Sequence, residues 1–146
     1  MSKPSILLVD DEEGFVQALA RRLKKRGLTV YTAFSGKQAL EVVADTGPER
    51  LDVVVLDVKM PGMDGSETLA AIKAKHPLLE VVMLTGHGTI ESAIESMRAG
   101  AADYLLKPAD IDVLLEKVNK AWGLKKDREL RILEAEAEMI AMRRGD

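Results

Sequence analysis

A chain of 146 residues, 47% hydrophobic and 31% charged, has the length of one domain and enough apolar material to fold without a disulfide or a structural metal. The absence of cysteine excludes disulfide frameworks, thiolate metal sites and cysteine nucleophiles together. A net charge of -3 excludes a globally basic nucleic-acid binder. No apolar run approaches the roughly 20 residues of a membrane-spanning helix, and MSKPSILLVD lacks the apolar core of a signal peptide, so a cytoplasmic domain is expected.

In chain order, Ile6–Val9 is the first predicted strand, too short and too β-branched for a helix. Phe15, Ala18, Leu19 and Leu23 then recur at helical spacing, and Gly27 stands where a left-handed residue closes a helix. Leu28–Thr32 is the second strand, and Ser35 with Gln38 has capping-box spacing ahead of a helix over Lys37–Ala44. Asp52–Leu56 is the third strand, and Asp64 with Glu67 caps a helix over Ser66–Lys75. Val81–Leu84 follows, then a helix carrying Ile90, Ala93, Ile94 and Met97 and closed by Gly100. Tyr104–Leu106 is the fifth strand. Asp110, just after Pro108, is the N-cap of a last helix with the stripe Ile111, Leu114, Leu115, Val118 and Trp122.

Runs such as ILLV and VVVL do not alternate apolar with polar, which marks strands covered on both faces. Strand and helix alternating five times predict an α/β fold, (βα)5, doubly wound, with a parallel five-stranded sheet and right-handed crossovers. The composition shifts once. After Trp122-Gly123, the segment Leu124–Asp146 balances six basic against six acidic residues and spaces Leu130, Leu133, Ala137 and Ile140 as an a/d seam. The chain is therefore divided into a domain over 1–122 and a C-terminal helical extension over 123–146. The default reading of that extension is a solvated helix with i,i+4 ion pairs; its heptad spacing favours a linker or dimerisation helix.

Ligands of an open parallel sheet bind beyond the carboxyl ends of its strands. There the sequence places Asp10 and Asp11 after the first strand, Asp57 after the third, Thr85 after the fourth and Lys107 after the fifth. Crowded carboxylates raise one another's pKa unless a cation sits among them, and hard oxygen ligands suit Mg²⁺. Such a metal commonly serves a phosphoryl group. Lys107 and Thr85 could contact that group, and Asp57 is either a third metal ligand or the nucleophile of an aspartyl phosphate.

The segments ILLVDDE, VVVLDVKMPGMDG and VVMLTGHGTIESAIESMRAGAADYLLKP resemble the receiver domain of two-component response regulators over roughly residues 4–122. The last segment is most similar to receivers of nitrogen-regulatory-type transcriptional activators, which precede an ATPase domain. The resemblance implies the flavodoxin-like strand order 2-1-3-4-5. It implies that Asp57 accepts a phosphoryl group from a sensor histidine kinase or a phosphotransfer protein. Mg²⁺, or Mn²⁺ in its place, would be held by Asp11, Asp57 and the backbone carbonyl of Lys59, with Asp10 acting through water. Thr85 and Lys107 would bind the phosphoryl oxygens, Tyr104 would be the aromatic switch, and Lys59 and His87 would set the phosphoryl lifetime. The Lys107-Pro108 bond would be cis. The fourth helix, fifth strand and fifth helix would form the surface that phosphorylation switches, to control an output domain or partner, and this surface or the C-terminal helix would serve a homodimer. No direct nucleic-acid binding within the chain and no membrane contact are expected.

Simpler readings stand beside these. Tyr104 can be a core-edge aromatic, His87 a loop residue, Trp122 a packing residue, and MPGMDG a turn set by its Pro and Gly. Among functions, the rivals are a stand-alone receiver that docks to a partner, a receiver fold that has lost its chemistry, and a metal-dependent phosphohydrolase. Against the last, Lys59 stands where the haloacid dehalogenase type carries a second acid two residues after its nucleophile, and no cap domain is evident. Enzyme activity beyond taking and losing its own phosphoryl group is not expected.

Overall fold

The structure, a computed structural model, describes residues 3–47 and 49–143. Five strands, β1 (Ser5–Val9), β2 (Thr29–Ala33), β3 (Val53–Leu56), β4 (Glu80–Thr85) and β5 (Asp103–Leu106), alternate with five helices. These are α1 (Glu13–Lys25), α2 (Gly36–Thr46), α3 (Gly65–Lys75), α4 (Ile90–Arg98) and α5 (Ile111–Arg143). All strand pairs are parallel, in the order β2-β1-β3-β4-β5, as expected.

The non-alternating strands bury both faces. Ile6, Leu8, Val53 and Val55 face α1 and α5, with Leu23, Leu114 and Val118. Leu7, Val9, Val54 and Leu56 face α2 and α3, with Val43, Leu69 and Ile72. Each such side chain contributes about 1.5–3 kcal/mol over its exposed state. No helix among the described residues is long and apolar enough to cross a membrane.

Several boundaries differ from the sequence expectation for a physical reason. Gly27 has a φ of 91°, its N–H donates to Lys24 O (2.9 Å), and the N–H of Leu28 donates to Leu23 O (3.3 Å). That pattern is a Schellman motif, so Leu28 belongs to the end of α1 and the strand starts one residue later. Gly100 and Ala101 close α4 in the same way, on Met97 O and Ser96 O. Asp64 and Glu67 form the full capping box. Gln38 does not return to Ser35; its Oε1 accepts from Phe34 N instead (2.7 Å). Asp110 caps α5, its Oδ1 accepting from Asp112 N (2.8 Å).

α4 forms where its periodicity predicts, but its stripe faces outward. Ile90 is 81% exposed, Ile94 and Met97 are about half exposed, and the only buried residue of the helix is Ser96. At the other end of the sheet α5 runs on without a break past Trp122. Lys125 donates to Leu51 O (2.7 Å) and Asp52 Oδ1 (3.2 Å), and Arg128 pairs with Glu80. Beyond these contacts Leu130, Leu133 and Ile140 are exposed. Residues 144–146 of the extension lie outside the described residues.

Candidate functional site

The sheet ladder itself delivers the acidic residues to one rim. Asp10 N donates to Ala33 O (3.2 Å) and Asp57 N to Val9 O (3.0 Å), which continues the pairing one residue beyond β1 and β3. Asp10 and Asp57 are each only 3% exposed, while Asp11 is open to solvent. Oxygens of Asp10, Asp11 and Asp57 lie within 4.8 Å of one another. Asp10 is fully engaged, with Oδ1 accepting from Glu12 N (2.9 Å) and Oδ2 from Lys107 Nζ (2.5 Å).

Asp57 is the contrast. Its Oδ1 is buried and has no hydrogen-bond partner. An orphaned buried carboxylate oxygen costs about 1–3 kcal/mol or more, so the site calls for a cation or a donor. The 57–62 loop is pressed close by the start of α3. A Cβ on Gly65 would sit 2.1 Å from Asp57 O, so glycine is required for that approach.

Burial holds the Asp57 carboxyl above its ordinary value, with the Asp10 charge adding to it and the Thr85 hydroxyl and Lys107 ammonium opposing it. Burial by itself would lower the Lys107 ammonium; the hydrogen bond and charge of Asp10, with Asp57 and Glu12, carry it above its ordinary value instead. Thr85 is buried and its Oγ1 accepts from His87 N (3.1 Å). A cavity of about 630 Å³ opens over the cluster, bounded by Asp11, Glu12, Asp57, Lys59 and His87. The Lys107-Pro108 bond is cis.

The structure thus brings Asp10, Asp11, Asp57 and Lys107 together and puts Lys59 and His87 at the mouth. Tyr104 stands apart, its hydroxyl 2.7 Å from Ser92 Oγ on α4. Two neighbours of the site were not singled out by the sequence. Glu12 Oε1 lies 3.7 Å from Lys107 Nζ, and the Phe15 ring centroid lies 4.2 Å from it. Glu12 follows the Asp pair at the end of the first strand, where sequence alone gives it a place on the rim but no role; Phe15 was hidden in the apolar stripe of α1.

The donor set fits a hard divalent cation. Three carboxylates converge within 4.8 Å and one buried oxygen among them is unpartnered, which is a hard, all-oxygen set.

A doubly wound parallel sheet with an acidic, lysine-bearing rim at its carboxyl edge places the protein among the open α/β folds, whose ligand sites lie at that edge. The chain belongs to the response regulator receiver domain family, which it matches over residues 6–119. The DNA-binding transcriptional regulator NtrC of Escherichia coli K12 is 39% identical over 121 residues, 83% of this chain and 25% of that protein. The transcriptional regulatory protein ZraR of Salmonella typhimurium is 36% identical over 140 residues, 96% of this chain and 31% of that protein. The chain therefore spans 25–31% of the length of these curated relatives. Among solved structures, a receiver domain protein of Clostridium thermocellum superposes with a TM-score of 0.80 at 36% identity, covering 85% of this chain and 98% of that one. NtrX of Brucella abortus gives 0.79 at 36% identity, over 90% of this chain and 30% of that one.

Proposed function

We propose that this receiver is a phosphorylation switch whose acceptor is Asp57. The observation that carries the reading is the buried, unpartnered Oδ1 of Asp57 beside two further carboxylates and Lys107. A carboxylate oxygen of Asp57 attacks the phosphorus of a phosphohistidine on a sensor kinase or phosphotransfer protein. The new O–P bond forms as the P–N bond breaks, and the imidazole nitrogen keeps the electron pair and takes a proton from solvent. Asp11, Asp57 and the Lys59 carbonyl, with Asp10 acting through water, would hold a Mg²⁺ that, when bound, offsets the negative charge gathering at the site. Lys107 and Thr85 bind the phosphoryl oxygens. Lys59 and His87, at the mouth, govern how readily water reaches the phosphoryl group and so its lifetime.

The readout lies on the α4–β5–α5 surface, where Ile90, Ile94, Met97 and Leu106 are exposed. The added charge of about -1.5 to -2 draws Thr85 toward the phosphoryl group, and Tyr104 leaves Ser92 to fill the vacated space. The experiment is incubation with acetyl phosphate and Mg²⁺ followed by mass spectrometry. An alkali-labile phosphoryl adduct on the Asp57 peptide is expected, and no adduct, or one at the same site in Asp57→Asn, ends the reading.

The relatives named as transcriptional regulators carry long stretches that this chain does not align with. The receiver over 1–122 would accordingly control a transcriptional output through the 123–146 extension as linker or dimerisation helix. A stand-alone receiver that docks to a partner is the alternative. Removing residues 130–146 spares the Lys125 and Arg128 contacts and takes away the exposed a/d seam. Self-association by sedimentation should weaken at least about tenfold (~1.4 kcal/mol). A shortened chain that dimerises as well as the parent removes the dimer-helix role.

A further inference from the structure

Lys107 is held by more than charge. Its side chain is only 14% exposed, with Nζ 2.5 Å from Asp10 Oδ2 and 3.7 Å from Glu12 Oε1. A further contact of the ammonium is the ring of Phe15, which it overlies at 4.2 Å from the centroid. Phe15 is half-buried in the first turn of α1, on the same rim as the Asp10-Asp11 pair. That distance lies well inside the roughly 6 Å over which a ring face attracts a cation.

The geometry points to Phe15 as a positioning residue for the phosphoryl site: its ring holds the Lys107 ammonium at the rim while leaving its N–H groups free to serve oxygen acceptors. The inference rests on the proposed phosphorylation of Asp57. A leucine in this place would fill much of the space but offer the cation no attraction. A carboxylate would attract it but compete with the phosphoryl oxygens for its hydrogens. An aromatic face does neither, because its pull is spread over the ring rather than aimed along one hydrogen-bond line. Lys107 can therefore re-aim from Asp10 toward the incoming phosphoryl group without leaving the ring. Phe15 touches neither donor nor acceptor and acts only through Lys107.

The test uses the full chain with acetyl phosphate and Mg²⁺ as the probe. In Phe15→Leu the initial rate of adduct formation should fall about three- to tenfold, the scale of a partly desolvated cation–π contact. Phe15→Tyr should return to within about twofold of the parent. Replacing Phe15 with successively fluorinated phenylalanines weakens the ring face at nearly constant shape, and the logarithm of the rate should decline stepwise along that series. Without any phosphodonor, the Lys107 ε-methylene protons should be shifted upfield by the ring current in the parent and return toward ordinary values in Phe15→Leu. A Phe15→Leu chain that folds and reacts at the parent rate overturns the inference and leaves Asp57 as acceptor untouched. A slow Phe15→Leu with a flat fluorination series overturns it too, since packing alone then explains the loss. A parent that forms no adduct overturns the acceptor reading itself, and this inference with it.

Discussion

Asp57→Asn is expected to unfold at a higher urea concentration than the parent at neutral pH, in chelator, while accepting no phosphoryl group. The parent buries this carboxylate with one oxygen unpartnered and Asp10 beside it, and both effects disfavour the charged form. The sign follows from linkage. The folded-state pKa lies above the 3.8 of an ordinary aspartate, so between those two values the folded chain holds more protons than the unfolded one. Stability from this group is therefore lost as pH rises through that window, and the whole cost remains at neutral pH. Asparagine keeps the shape and removes the charge, while Lys107 retains Asp10 and Glu12 as partners. A gain of about 1–2 kcal/mol is the usual scale when a site strained for function is relieved. Adding Mg²⁺ should narrow or reverse the order, because a ligand stabilises only the chain that binds it. An Asn variant less stable than the parent in chelator would mean that the Asp57 charge is not a cost to this fold.

The division between what the sequence discloses and what it hides follows the range of the interactions. ILLV, VVVL and the residues that follow them are local patterns, and with the parallel-sheet rule they are enough to place Asp10, Asp11, Asp57 and Lys107 on one rim. Cap geometry is local too, yet Leu28 shifts from strand to Schellman motif because its buried side chain and its N–H both serve α1. The outward turn of Ile90, Ile94 and Met97 was hidden because a periodic stripe reports a helix and not what covers it. Phe15 against Lys107, and Lys125 and Arg128 against Asp52 and Glu80, join residues far apart in the chain. No spacing rule connects such pairs, so Phe15 reads as one core position among several, and Lys125 and Arg128 as charges on a linker or dimerisation helix rather than as contacts of the sheet.

The largest stability effect is expected at the other end of β4 from Thr85. Glu80 opens that strand at 1% exposure, and its carboxylate is met by Arg128 from α5 and, at 3.8 Å, by Lys73 from α3. Lys73 also donates to Pro77 O (2.8 Å) and Leu79 O (3.2 Å), which ties the turn before β4 to α3. Burial lowers the Lys73 ammonium from its ordinary value and Glu80 opposes that, so the pair is mutually dependent. Replacing both cations, as in Lys73→Met with Arg128→Met, strands a buried carboxylate, and such a loss costs about 3–5 kcal/mol by urea denaturation. Adding Glu80→Met to that double variant should restore most of the loss, because three apolar side chains of similar volume need no charge balance. Arg128→Met alone keeps Lys73 and should cost less globally, but it releases α5 from the sheet. Amides over residues 130–143 should then exchange faster while those of β4 keep their protection. If the double variant is as stable as the parent, or Glu80→Met fails to rescue it, the network is not what holds the long helix against the receiver.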